Sequence, residues 1–425
     1  MAYWIAFADV DGFRLDAAKH VTEDFIAYFC SRIRNFAASI GKDNFYIIGE
    51  VAGPPEWVGS RLGKMFSDER NPNNHGKVPK GLTTRIWSLL NDGRTDLSVS
   101  TNYLLHNKFP YPGLTAVYDF GHGGTARNLF RNEIPISNLV NFLASSYETT
   151  LQGQANPLLN WNVLEIHDWN RFLVFPFDKN FRRGVIGISY LMTSRGIPHI
   201  YYGQEQGFNQ LGNQERINVD SDEVKEEMLS VFRSSNDALK RQDMFMGPWR
   251  LGSSVPEIDQ LSYVGKVKRE DEVKNLRGNS EDPFLNRNQE LFIETRALIH
   301  IRKSCRVLQE GGQYFRYGGF SGEKWGVFAY SRILGGEEII VIINDSDDEQ
   351  MQPSLMIDAN LNKEKDVFVN LRNGYDRVEV FREKKGGIWL GSNGQTMKGN
   401  EYKIYAKAEN VREWDEDLKA HLCRS

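Results

Sequence analysis

The residues whose types and spacing could do chemistry fall in three short stretches. In Gly12-Phe13-Arg14-Leu15-Asp16, arginine and aspartate stand two apart in an apolar run. Side chains alternate across a strand, so Arg14 and Asp16 should share one face, with Phe13 and Leu15 on the other. A guanidinium there can hold the carboxylate ionised, ready to act as a nucleophile or an electrostatic stabiliser. A strand end with an ordinary structural ion pair would look the same. Glu50 closes the run Phe45-Tyr46-Ile47-Ile48-Gly49, and His167-Asp168 closes Asn162–Ile166. Two carboxylates about 5–5.5 Å apart suffice for retaining glycoside hydrolysis, one as nucleophile and the other as acid and then base. Asp16 is expected in the first role and Glu50 in the second. Asp168, with His167 beside it, is expected on the sugar hydroxyls and the developing positive charge.

Elements must bring these groups together. Thr22 is a plausible N-cap, with Glu23 and Asp24 in the first turn. Phe25, Phe29, Ile33, Phe36 and Ile40 make a helical stripe that Gly41 ends. Strand, helix and strand, with acids at both C-terminal strand ends, form a parallel βαβ unit. A polar segment from about 54 to 112 leads to a third run, Leu114–Phe120. Helices over 125–131 and 136–145 follow, then the run ending in His167-Asp168. A helix containing Val185, Ile186, Ile188, Leu191 and Met192 stops at Gly196. A fifth run, Ile197–Glu205, has a polar end. Five strands separated by helices, with ionisable or aromatic residues at their C-terminal ends, predict part of a (β/α)8 barrel, whose active site lies at that face. An open doubly wound sheet usually carries a glycine-rich phosphate loop after its first strand. Neither Gly121-His122-Gly123-Gly124 nor Gly59…Gly63-Lys64-Met65 has that spacing.

Residues 207–286 are polar with little periodicity and read as a long insertion, in which Met244–Trp249 is expected to pack on the loop itself. A helix near Gln289–Cys305 completes the barrel portion, 1–310. After Gly311-Gly312, short β-rich runs at 325–330, 337–344, 367–371, 377–381, 388–390 and 402–405 predict an antiparallel β-sandwich over 311–408. The charged tail, 409–425, reads as a helix or a loose end.

Composition narrows the classes. The 425 residues are 40% hydrophobic, 25% charged and 12% aromatic, with net charge -4, which argues against nucleic acid as a partner. No apolar run approaches the ~20 residues of a membrane span. The N-terminus lacks the charged and apolar regions of a secretory signal, which would make the chain cytoplasmic if the start is genuine. Cys30, Cys305 and Cys423 are scattered, predicting neither a disulfide framework nor a zinc site.

Gly12–His20, Gly49-Glu50-Val51 and His167-Asp168 resemble three of the short regions that mark the α-amylase family, glycoside hydrolase family 13. Gly196–Glu205 resembles a further one, at the eighth barrel strand. Together these similarities cover residues 2–310, and the β-rich part after them resembles the family's C-terminal domain. The resemblance implies Asp16 as nucleophile, Glu50 as acid/base and Asp168 as transition-state stabiliser. It also implies Arg14 supporting Asp16, His167 on the central sugar, and Lys19 and His20 towards the reducing-side subsites. The implied substrates are α-glucans such as starch, glycogen or maltodextrins. Two departures stand out. Ile166 occupies the place of the family's usual Asn, and the strand bearing Asp16 resembles the fourth of the barrel although it begins near residue 9. The barrel portion would then comprise strands four to eight, short of three βα units, on the order of 90 residues. Calcium is implied only weakly, with most of its ligands expected outside this chain. Five strands cannot close such a barrel, so exposed edges predict instability, self-association or dependence on a further segment. A catalytically inactive fragment or a non-catalytic glycan-binding relative is the alternative expectation.

Overall fold

The computed structural model describes residues 1–62, 113–131, 133–143, 157–173, 182–208, 240–241, 288, 290–317, 326–384 and 386–424. Most of the expected insertion, including Met244–Trp249, and most of the polar segment before residue 113 lie outside the described residues. The chain divides into two compact units, Met1–His122 with Asn141–Asn162, and Gly123–Val140 with Val163–Ser425.

The first unit opens on a helix, α1 (Ala2–Ala8), where the sequence suggests hardly any lead-in. Strand β1 (Gly12–Leu15) follows, then α2 (Glu23–Ser39), β2 (Tyr46–Gly49), α3 (Pro55–Arg61) and β3 (Ala116–Val117). The strands pair in the order β1-β2-β3, all parallel, which bears out the βαβ reading. Glycine is required at residue 12 because a Cβ there would stand 2.5 Å from the Tyr46 carbonyl oxygen. The expected N-cap is present: the Thr22 hydroxyl accepts the Phe25 N–H at 3.3 Å.

Strand β1 is half-buried along its length. The buried face of α2 differs from expectation. The core face of α2 is Ile26, Ala27, Cys30, Ile33 and Ala37, while Phe25 and Ile40 are exposed. Phe29 and Phe36 pack partly buried against the same core, and Phe25 stacks on Phe29 at its edge. This core joins α1 through Ile5, the sheet through Ile47 and Val117, and α3 through Val58.

Next come α4 (Phe120–Phe130), α5 (Ile136–Leu143) and strand β4 (Trp161–Val163). Helix α4 starts five residues earlier than the sequence suggests. Buried Asp119 explains this by accepting the His122 N–H at 3.1 Å, so it caps the helix. Regular strand ends at Val163, so His167 and Asp168 occupy a turn beyond β4 and not its last positions.

The second unit contains α6 (Arg182–Thr193), β5 (Ile197–His199), α7 (Glu290–Ser304) and α8 (Arg306–Glu310). Helix α6 is buried on nearly every side, as its almost continuous apolar sequence requires. Leu291, Leu298 and Ile301 line the buried side of α7, and Cys305 just after it is buried as well.

The β-rich part consists of β6 (Gly312–Tyr317), β7 (Val327–Leu334), β8 (Glu337–Asn344), β9 (Gln350–Met351), β10 (Leu355–Ile357), β11 (Val367–Asn370), β12 (Asn373–Arg382), β13 (Ile388–Leu390), β14 (Thr396–Met397) and β15 (Tyr402–Lys407). Eight of these strands form one sheet, ordered β10-β13-β12-β11-β15-β8-β7-β6 and antiparallel throughout its described pairings. The sheet curls over a single core, which includes Ile340, Phe368, Val380 and Tyr405, so one sheet supplies both layers of the expected sandwich.

The tail is neither helix nor loose end. Strands β16 (Val411–Asp415) and β17 (Ala420–Cys423) pair as a hairpin. Cys423 is joined to Cys305 in a disulfide across 118 residues, correcting the expectation from cysteine spacing. Cys30 stays free, and burial pushes its thiol up to about 11.

Candidate active site

The parallel pairing of β1 with β2 sets Leu15 opposite Gly49, which brings the residues that follow, Asp16 and Glu50, to the same end of the sheet. Glycine at 49 is needed there, since a Cβ would meet a Leu114 methyl at 2.4 Å. Arg14 joins the two acids. One Nη donates to Asp16, and the other donates to Glu50 Oε2 at 2.8 Å. The sequence assigns Arg14 to Asp16 alone, whereas the structure makes it the shared cation of both carboxylates. Asp16 is 76% exposed, Arg14 26% and Glu50 17%. Asp16 is therefore the more solvent-exposed of the two acids.

Two further features shape the group. Ala17 adopts left-handed backbone (φ 47°, ψ 36°), a conformation that costs an L-residue roughly 1–2 kcal/mol. In return its N–H points at Glu50 Oε2, 3.3 Å away. Tyr118 places its ring 5.6 Å from the Arg14 guanidinium carbon. Burial is the main cause that raises the Tyr118 hydroxyl pKa, with Arg14 acting in the opposite sense. Burial also works against the charge of Arg14, but its bonds to Asp16 and Tyr118 and the nearby Glu50 outweigh it and raise the pKa. Tyr118 was not singled out in the sequence. Its signal was its place at the polar end of the third apolar run, the same signal that marks Glu50.

Lys19 and His20 lie on a 3-10 helix, Ala18–His20, just after the acid. Lys19 is half-buried and His20 exposed. Arg61 on α3 fixes this turn, donating to the carbonyls of Ala18 and Lys19 at 3.1 and 2.9 Å.

His167 and Asp168 belong to the second unit. His167 Nε2 lies 3.1 Å from Asp168 Oδ2. Arg241 donates to Asp168 Oδ1 at 3.2 Å, and Lys240 to its backbone carbonyl at 3.1 Å. Both cations come from the polar insertion, whose lack of periodicity left no signal for them. Ile166, at the departure from the family pattern, is buried.

Beneath this turn stands a second acid–arginine pair. Glu165 and Arg171 are 1% and 0% exposed, and Arg171 donates to Glu165 at 3.1 Å. Burial raises the Glu165 pKa, while Arg171 and the Phe172 N–H pull it down. Among the described residues, no three His, Cys, Asp or Glu side chains are grouped to hold a metal ion.

Residues 96–311 match the family model for the α-amylase catalytic domain. The chain belongs to the α-amylase family. The match begins beyond Arg14, Asp16 and Glu50 and takes in His167 and Asp168. A cell wall α-1,3-glucan synthase of Schizosaccharomyces pombe is 29% identical over 215 residues, 49% of this chain and 9% of that protein. An α-amylase of Streptomyces lividans is 23% identical over 356 residues, 81% of this chain and 29% of that one. In structure, the chain is similar to an α-amylase from Geobacillus thermoleovorans solved with acarbose, at TM-score 0.55 and 16% identity, covering 95% of this chain and 61% of that one. The shared fold is a TIM barrel followed by a C-terminal β-rich domain. The chain spans less than a third of the length of these two curated relatives. Members of this family are glycoside hydrolases or related α-glucan-active enzymes.

Proposed function

We propose that this chain carries the catalytic groups of a retaining α-amylase-type glycoside hydrolase acting on α-glucans such as starch, glycogen or maltodextrins. In this reading, β1 to β5 correspond to strands four to eight of the barrel. The observation that carries it is the bridging of Asp16 and Glu50 by Arg14, at adjacent ends of parallel strands. One guanidinium holding two carboxylates suits the separation of about 5–5.5 Å that a retaining pair uses.

Asp16 attacks the anomeric carbon while Glu50, in its protonated form, gives its proton to the departing glycosidic oxygen. The C–O bond to the leaving sugar breaks as the bond to Asp16 forms. Water then attacks the same carbon, Glu50 takes its proton, and Asp16 leaves. Asp168 and His167 bind sugar hydroxyls and steady the positive charge that develops at the ring. Lys19 and His20 extend the site towards the reducing end.

A second reading replaces water with a sugar hydroxyl, which makes the reaction transglycosylation. The similarity to a glucan synthase over half of this chain supports it. Both readings are tested by incubating the purified chain with maltohexaose and following products by proton NMR. Hydrolysis with retention yields the α-anomer first, transfer yields longer chains, and a chain that binds without turnover supports the glycan-binding alternative. The reading is overturned if the Asp16→Asn variant turns over as fast as the parent.

A further inference from the structure

We infer that Arg171 and Glu165 are positioning residues, a buried clamp that fixes the turn bearing His167 and Asp168. The inference rests on the functional reading above for what that turn does.

The clamp closes the turn at its base. The Glu165 carboxylate accepts from Arg171 Nη1 and from the Phe172 backbone N–H, binding residue 165 to residues 171 and 172. His167 and Asp168 stand in the short span between these tied ends, half-buried and exposed respectively. The same guanidinium reaches a second segment. Its Nη1 donates to the Tyr202 carbonyl at 2.6 Å, and its carbon lies 4.2 Å from the Tyr201 ring centroid, 4.7 Å from Tyr202 and 5.2 Å from Phe208. Three rings around one cation hold it in place. This ties the turn beyond β4 to the segment after β5, where Gly203 (φ 80°) and Gly207 (φ 72°) bend the backbone.

A purely structural ion pair could lie anywhere in a core. This one spans the few residues that carry two candidate site groups, and it is sealed from water. A carboxylate with two buried donors and a guanidinium with a rigid fork leave little freedom for the residues between them. Lysine retains the charge but loses both the fork and the flat stacking surface, so Arg171→Lys separates charge from geometry. Glu165→Gln keeps the shape and an acceptor for Phe172 while removing the charge.

The test reads two quantities on the full chain. The first is hydrogen exchange of the 166–172 amides without substrate. Arg171→Lys and Glu165→Gln should speed it about tenfold while the C-terminal sheet keeps its parent rate. The second is turnover of maltohexaose, where kcat should fall about 10–100-fold with KM within about threefold, as expected when supporting groups are loosened. Should Arg171→Lys fail to fold, Glu165→Gln decides. Unchanged exchange overturns the clamp, and exchange that quickens equally in the C-terminal sheet does so too, since it marks general loosening. Faster local exchange with unchanged kcat overturns the positioning role. If the parent chain neither binds nor cleaves maltohexaose, the proposed function fails, and the exchange result still decides the clamp.

Discussion

The two acid–arginine groups of this molecule use the same residue types to opposite ends. Arg14 lies partly open to solvent and is shared by Asp16 and Glu50, with Asp16 three-quarters exposed. Arg171 and Glu165 are sealed away, and aromatic rings surround the arginine. An exposed ion pair contributes little stability, ~0–1 kcal/mol, but its charges remain available to a substrate. A buried pair offers nothing to a substrate, yet breaking it leaves an uncompensated charge in the interior. The difference teaches that burial, more than residue type, separates a group that a ligand could reach from one that holds the fold.

The largest expected effect would break this contrast outright. Asp16→Asn should cut maltohexaose turnover by about 10³-fold or more, as removal of a nucleophile does. Its exposure means that the thermal midpoint should move by no more than about a degree or two, which calorimetry on the same sample checks. Next, Arg171→Ala should destabilise the fold by about 3–5 kcal/mol, the usual consequence of orphaning a buried partner. Arg14→Ala, at a pair that is only partly closed to solvent, should lose less, about 1–2 kcal/mol, with both variants compared by urea titration. Equal losses would show that the two pairs do not differ in kind.

Asp345 sharpens the role of burial without an ion-pair partner of its own kind. Its Oδ1 accepts the Gly326 N–H at 2.8 Å, and burial pushes its pKa up to about 7 from an ordinary 3.8. A folded-state pKa above the unfolded one means stability that is present below about pH 4 and lost as pH rises to about 7. With about 1.4 kcal/mol per unit, the loss is on the order of a few kcal/mol. Asp345→Asn, which keeps an acceptor for Gly326, should raise the midpoint more at pH 8 than at pH 5. The smallest effect concerns Tyr118. Tyr118→Phe keeps the ring under Arg14 but removes the hydroxyl, and should lower kcat/KM by up to about tenfold, worth ~1 kcal/mol.

Much of the candidate site was legible because it is local. The alternation that puts Arg14 and Asp16 on one face, the Thr22 cap and the buried stripe of α7 all depend on residues within a few positions of one another. The acids at strand ends were readable because a parallel βαβ unit returns both strand ends to one side. Other features had no local signal. Helix α2 buries Ile26, Cys30, Ile33 and Ala37 and exposes Phe25: two stripes of the same helical period are available in its sequence, and tertiary packing chooses between them. Lys240 and Arg241 reach Asp168 from 72 and 73 positions away, out of a segment without pattern.

By itself the sequence singled out candidate groups and the apolar runs they follow, since side-chain direction follows from backbone periodicity. Only the tertiary structure decided that Arg14 also holds Glu50, 36 positions away, and that Cys305 meets Cys423 across 118. It also decided that Arg171 is walled in by rings from another segment. Such pairings depend on where packing brings distant segments, and the free energy that selects them is spread over the whole core, not written in the residues that meet.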